Sequence, residues 1–590
     1  MSLREILPGA ICVAKFRTAF SVVVTLLPLA LTSTTFAAKR PNIILFVTDD
    51  QVKEELACYG GRVLTPHIDR LAREGLRFDN AHVPSTVCTP SRYTLLTGRL
   101  PGNSYFESYL AEHPRDSQGN PGFNVGLEDD NMNVGNVLRE AGYVTGLVGK
   151  LHVGPELKKR EQYEAHGLYY PDPEADPDSP EVVAGWQRNE RSFREWVTGK
   201  GFSWAKHNYW GNIKAPYNRH NAEWTLEAAL EFIEQNSEQP FYLHYTTTLM
   251  HGGGKAWSDS MNHPLVSGAG KLEKLPTVIP SRDEIRRQVK EAGFEENTVG
   301  FTWMDATVGA MLEQLDRLGI ADNTLFVFVS DHGTEGKWTL HDHNGTAVPC
   351  IMRWPNVIPP ETVNSSLIQT TDFVPTFFDI AGAKRPTAYR VDGVSLSSVL
   401  SDPTREIHDH LFFELGNARG VRTDDWKYIA VRYETEQFRR IQSADLLRLP
   451  RALAYIGNDK TLSNHLGQRP HFLESDQLYH LAKDPLETTN LAGNVECSRQ
   501  LNHLKGLLTN QLQAQGRPFG EFTPGPDTVP SEKIQPYLRE LRKLKPIKRG
   551  FEIVGQEAVT TDAAPAELTR QERRKQREVR KKKRLASESN

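Results

Sequence analysis

Cysteine is scarce. Five in 590 residues are too few for a disulfide framework, so stability must come from a packed core. Long apolar runs are also scarce. The run at residues 19–31 falls short of the ~20 residues a bilayer span requires, which argues against stable membrane insertion. Neither sign of charge is in excess. The 70 Lys and Arg against 74 Asp and Glu leave −4, which argues neither for nor against nucleic acid, and no such partner is expected. No internal repeat is present, which speaks against a solenoid.

What is present suits a soluble globular chain with polar tails: 38% apolar and 24% charged residues, over a length that permits more than one domain. Residues 1–38 read as a signal peptide. Lys15 and Arg17 precede the apolar run, and small residues lead out of it to Ala37-Ala38. Pro28 and that exit disfavour an uncleaved anchor. The mature chain is expected to start near Lys39 and to be secreted or periplasmic.

Two apolar runs, residues 42–48 and 324–330, read as buried parallel strands of an open α/β sheet. The first ends in Asp49-Asp50 and the second in Asp331-His332-Gly333. Adjacent acids at one strand end can be a solvated turn. Two such ends point instead to a crevice at the carboxyl edge, with donors for a divalent cation. Residues 143–148 form another strand, leading into Gly149-Lys150-Leu151-His152, where Lys150 and His152 can face an anion. Residues 241–246 form a further strand, followed by Met250-His251, with His244 read as a core residue. Helices are predicted over 65–75 (Thr65 as N-cap, Pro66 at N1, Gly75 as stop), 133–141, 222–235 and 305–318. Residues 155–220 break the βα rhythm and are rich in Pro, charge and aromatics. They read as an insertion of substrate loops over the sheet edge.

The stretch Val87-Cys88-Thr89-Pro90-Ser91-Arg92-Tyr93-Thr94-Leu95-Leu96-Thr97-Gly98 organises the rest. Pro90 suits a first helical turn and Gly98 a helix end. Cys88 then lies at a helix N-terminus, a natural anion site, with Arg92 one turn on. Cys-x-Pro-Ser-Arg followed by Thr-Gly resembles the signature of the type I, formylglycine-dependent sulfatases of the alkaline phosphatase superfamily. The Gly-Lys-x-His, Thr-Pro-x-x-Asp-x-Leu-Ala and Asp-Pro-x-Glu-x-x-Asn-Leu segments resemble the family as well. The likeness runs from about Pro41 to Leu491. Two departures stand out: His332 where the family often has Asn, and His341-Asp342 with Ala347-Val348-Pro349 where it has Tyr-Glu and Arg-Val-Pro.

The resemblance implies a large, mixed, mostly parallel sheet flanked by helices, with a smaller C-terminal antiparallel α+β subdomain. Expected divisions are a catalytic domain over 39–404, the subdomain over 405–550 and a basic tail over 551–590. It implies that a formylglycine-generating enzyme oxidises Cys88. It also implies a metal site of Asp49, Asp50, Cys88, Asp331 and His332 for Ca2+, with Mg2+ or Mn2+ as alternatives. Arg92, Lys150 and Lys337 would offset sulfate charge. His251 would protonate the leaving oxygen and His152 would regenerate the aldehyde. Asp331 would take the proton of the attacking hydroxyl. With Cys12 removed and Cys88 modified, Cys58, Cys350 and Cys497 remain, and no disulfide is expected. The expected activity is hydrolysis of a sulfate ester on a sulfated carbohydrate, a polysaccharide or glycosaminoglycan-type chain. A formylglycine phosphonate or phosphodiester hydrolase and a non-catalytic binder of sulfated glycans are the alternatives. The oligomeric state is left open.

Overall fold

In the computed structural model, residues 40–543 are described, except 156, 446–447 and 455–458. The expected signal peptide and basic tail lie outside the described residues.

The apolar runs become strands where expected. In chain order the main sheet has β1 (Asn42–Thr48), β2 (Leu76–Phe78), β3 (Val144–Lys150), β4 (Trp204–Tyr209), β5 (Phe241–Thr246), β6 (Thr324–Ser330), β7 (Cys350–Arg353) and β8 (Thr362–Asn364). Their spatial order is β8-β2-β7-β6-β1-β5-β3-β4. The run β6-β1-β5-β3-β4 is parallel throughout, and β7 is antiparallel to both its neighbours. Both faces of β1 are covered, which is why it reads as continuous rather than alternating hydrophobicity. Ile43, Leu45 and Val47 face one core. It is closed by α2 (Cys88–Thr97), α3 (Val134–Glu140) and α7 (Phe373–Ala381). Ile44 and Phe46 face the other. It is closed by α1 (Pro66–Arg73), α5 (Ala222–Gln235) and α6 (Val299–Arg317). Each fully buried aliphatic side chain contributes roughly 1.5–3 kcal/mol. Truncating Leu45 to Ala would cost about 2–5 kcal/mol.

Two local expectations need correction. Residues 155–220 are not only loops: they contain α4 (Pro180–Gly199) and the edge strand β4, which pairs in parallel with β3. The βα rhythm therefore continues through them. Thr65 occupies the N-cap of α1, but its hydroxyl accepts from the Ala57 N–H. The first-turn N–H groups of His67 and Ile68 are taken instead by the buried Asp305 carboxylate of α6, at 3.2 and 2.7 Å.

A second sheet, β9 (Leu411–Leu415), β10 (Ala418–Arg422), β11 (Trp426–Val431) and β12 (Asp476–His480), is antiparallel in that order, and α8 (Ser498–Gln515) packs on it. Val87 and Leu340 join Phe413 and Ile429 in one apolar cluster, tying this layer to the loops that carry the site. Among the described residues the cysteines Cys58, Cys88, Cys350 and Cys497 are free. No described helix is long and apolar enough to cross a membrane.

Candidate active site

Five parallel strands end at one edge, and the site is built on the residues just past those strand ends. Thr48 pairs with Ser330, so Asp49-Asp50 and Asp331-His332 leave the sheet side by side. The Asp331 N–H donates to the Thr48 carbonyl at 3.0 Å, and the Asp50 N–H donates to Asp331 Oδ1 at 3.1 Å. At the end of β3 the register slips between Val148 and Gly149. Gly149 has φ +92°, and a Cβ there would meet the Thr246 carbonyl oxygen at 1.8 Å, so only glycine fits. This kink precedes Lys150, the last residue of the strand.

The signature helix α2 is buried along its whole length. Cys88 is its first residue. Val87, at the N-cap, offers no side-chain acceptor, so the positive end of the helix is left to the site. The helix ends at Gly98 with φ +64°. Arg92, 1% exposed, donates through Nε to Asp331 Oδ2 at 3.0 Å and lies 3.5 Å from Asp49.

Cys88 Sγ is the point of convergence. It lies 3.3 Å from His332 Nε2, 3.6 Å from Lys150 Nζ, and 3.7 Å from both Asp49 Oδ1 and Lys337 Nζ. Lys150 Nζ bonds Asp49 at 2.6 Å, and Lys337 Nζ bonds both oxygens of Asp50 at 2.8 and 2.9 Å. Burial opposes the charges of Asp49 and Asp50. The nearby cations, Lys150 and Arg92 for the first and Lys337 and His332 for the second, outweigh it and hold both below the ordinary carboxylate value. Burial also opposes a charged His332, but Asp331 and Asp50 raise it to about 9.

Donor atoms of Asp49, Asp50, Cys88 and His332 lie within 4.8 Å of one another, a set that could hold a metal ion. The imidazole fits such a role. His332 Nδ1 lies 2.9 Å from the Gly333 carbonyl, to which it can only donate, leaving Nε2 for the cluster. The same acids that raise its pKa hold a proton on Nε2, which a bound cation would displace. Asp331, the fifth expected ligand, borders the set: its Oδ1 lies 3.7 Å from His332 Nε2, while Arg92 and the Asp50 N–H also bond its oxygens. Three acids (Asp49, Asp50, Asp331) face three permanent cations (Arg92, Lys150, Lys337), so a divalent ion would leave the site positive, as an anionic substrate requires.

Beside the cluster opens a cavity of about 390 Å³, lined by Phe123, His152, Trp210, His251, Lys337 and Trp338 among others. His152 rests on the Phe123 ring, which meets Trp338 edge-on. Burial, together with Lys150 and Arg92, keeps the His152 pKa well below its ordinary value, so the ring is neutral. His251 Nε2 lies 3.9 Å from Asp50 Oδ2, and its pKa too is lowered by burial. All six expected catalytic side chains therefore surround one cluster or its cavity. Sequence reasoning missed Asn212, which accepts from Lys150 Nζ at 2.8 Å, as well as Phe123 and Trp338. Asn212 lies just past the end of β4 at the common edge, and recognising β4 would have flagged it.

Comparison with known proteins agrees. The sulfatase family profile matches residues 41–383, and that for the C-terminal part of N-sulphoglucosamine sulphohydrolase matches residues 330–467. An ulvan-active sulfatase of Formosa agariphila is 27% identical over 81% of this chain and 81% of its own. Arylsulfatase A of Homo sapiens is 28% identical over 82% of this chain and 91% of its own. A solved structure from work on glycosaminoglycan metabolism by Bacteroides thetaiotaomicron superposes with a TM-score of 0.55, at 20% identity, over 81% of this chain and all of the other. With the match running over more than half of its length, from β1 through α7, the chain belongs to the type I sulfatase family and is an enzyme that hydrolyses sulfate esters.

Proposed function

We propose that the protein removes sulfate from a sulfated carbohydrate, with Cys88 oxidised to formylglycine as its nucleophile. The observation that carries this reading is the placement of Cys88. It heads a buried helix, touches two lysines and two candidate metal ligands, and its neighbour Thr89 lines an aromatic-walled cavity together with Lys337. The relatives support the substrate class: one is ulvan-active, and another, from Bacteroides thetaiotaomicron, is an N-acetylglucosamine-6-O-sulfatase.

Asp49, Asp50, His332 and residue 88, with Asp331 at their border, would hold a divalent cation, with Ca2+ the first candidate and Mg2+ or Mn2+ the next. It would supply Lewis-acid polarisation of the sulfate. Once hydrated, formylglycine supplies a hydroxyl nucleophile and a second hydroxyl that can expel the sulfate later, which a plain alcohol lacks. The chain's own residues do the remainder. Arg92, Lys150 and Lys337 offset the charge of the sulfate oxygens. Asp331, paired with Arg92, would accept the proton of the attacking hydroxyl. His251 delivers a proton from its ring to the leaving oxygen. His152, held neutral, accepts one at its ring from residue 88. Maturation would need a formylglycine-generating enzyme, and the leader at residues 1–38 would direct the chain to a secreted or periplasmic location.

Sulfate release from a panel of sulfated saccharides, with an aryl sulfate and an aryl phosphodiester alongside, tests the reading. Desulfation of at least one saccharide, with the phosphodiester turned over far more slowly, is expected. Preference for the phosphodiester would favour the phosphonate or phosphodiester alternative. Binding of sulfated glycans without turnover would restore the non-catalytic one.

A further inference from the structure

Asn212 was not singled out by any motif, and its geometry gives its two amide atoms separate tasks. It lies three residues beyond β4, half-buried, on the wall of the cavity. Its backbone is held in place by the adjoining chain. The β3–β4 pairing continues past both strand ends, with Leu151 N–H donating to the Tyr209 carbonyl at 2.8 Å and His152 N–H to the Trp210 carbonyl at 2.7 Å. A Cβ on Gly211 would come within 3.1 Å of the His152 ring, so the next residue is seated closely against the site.

The amide orientation is set by its partner. Lys150 Nζ carries three donor protons and no acceptor, and it has three acceptors: Asp49 Oδ2 at 2.6 Å, Asn212 Oδ1 at 2.8 Å and Cys88 Sγ at 3.6 Å. The oxygen of Asn212 must therefore face the ammonium. That leaves the NH2 group, for which no acceptor is found among the described residues. We propose that Asn212 is a substrate-contacting residue, its Oδ1 fixing Lys150 and its Nδ2 donating to an oxygen of the bound sulfate group. The inference rests on the sulfatase reading of this site and adds to it a neutral donor beside the cations.

The two tasks can be separated by substitution. Asn212→Asp keeps an oxygen for Lys150 and removes the donor. Asn212→Ala removes both. The probe is inorganic sulfate, titrated calorimetrically into the metal-loaded, formylglycine-containing enzyme, with KM and kcat for an aryl sulfate measured in parallel. A lost hydrogen bond to a charged group corresponds to about 10–100-fold, so both variants should bind sulfate at least about tenfold more weakly. KM for the aryl sulfate should rise accordingly, with the unfolding temperature and the formylglycine content unchanged in Asn212→Asp. Wild-type sulfate affinity and KM in Asn212→Asp would show that the residue only supports Lys150, and would overturn the inference while leaving the sulfatase reading intact. A wild-type enzyme that neither binds sulfate nor cleaves sulfate esters would overturn both.

Discussion

Lys150→Met tests whether the cation-balanced acids are metal ligands. In the wild type the Asp49 carboxylate, 1% exposed, is neutralised by Lys150 at 2.6 Å and more distantly by Arg92 at 3.5 Å. Removing the ammonium leaves a buried charge with only more distant cations, Arg92 foremost among them. Breaking such a pair costs about 3–5 kcal/mol. With an unfolding entropy of about 2.1 cal/mol/K per residue, roughly 500 ordered residues lose about 1 °C per kcal/mol, so a fall of about 3–5 °C is expected in chelator. A divalent cation bound by Asp49 supplies the missing positive charge. Saturating Ca2+ should then raise the melting temperature of Lys150→Met by several degrees more than that of the wild type. Differential scanning calorimetry with chelator and with Ca2+, on both proteins, measures the four values needed. An equal Ca2+ response in the two proteins would refute Asp49 as a ligand. An unchanged melting temperature in chelator would refute the buried-pair argument.

His251→Ala should slow a sugar sulfate by about 10²–10⁴-fold and an activated aryl sulfate much less, because a stable phenolate leaves without a proton. Equal losses on both, measured as kcat/KM, would remove His251 from the leaving-group role. Glu487 is fully buried, and burial with Asp342 raises its pKa from 4.5 to about 7. The folded state holds a proton there that the unfolded chain has released, so stability from this group falls as pH rises from about 4.5 to 7. Glu487→Gln keeps an acceptor for the Asp342 and His343 N–H groups. It should flatten the pH dependence of the urea midpoint and raise the midpoint at pH values above that range. Parallel profiles would contradict this.

Much of the fold was legible because its central strands are buried on both faces. Residues 42–48 and 324–330 read as unbroken apolar runs, and they are β1 and β6. The edge strand β4 was not legible. Trp204-Ala205-Lys206-His207-Asn208-Tyr209 carries three polar residues, and Asn208 spends its amide on the Leu147 and Gly149 carbonyls. Hidden with β4 was Asn212, whose role depends on a partner 62 positions away. Asp305 likewise caps a helix that begins more than two hundred positions before it, and no local pattern reports this. At the site, strand ends together with the resemblance to the sulfatase signature pointed to ten side chains, which gather about one cluster and its cavity. They could not show that Asp331 also holds Arg92 and the Asp50 N–H, or that the Gly333 carbonyl fixes the His332 ring, since both depend on hydrogen bonds formed only in the fold. The departures after Lys337 also find their explanation in tertiary contacts. Asp342 receives Arg422 and Lys427 from the second sheet, at 2.5 and 2.6 Å.

The state of residue 88 tests the central claim most directly. Purified protein, produced with a formylglycine-generating enzyme, is digested, and the peptide carrying residue 88 is weighed while the same sample is assayed on an aryl sulfate. Conversion of the thiol to an aldehyde lowers the peptide mass by about 18 Da. The account predicts that activity rises in proportion to the converted fraction and is lost in Cys88→Ala. Full activity in a preparation whose Cys88 is entirely unmodified would contradict it.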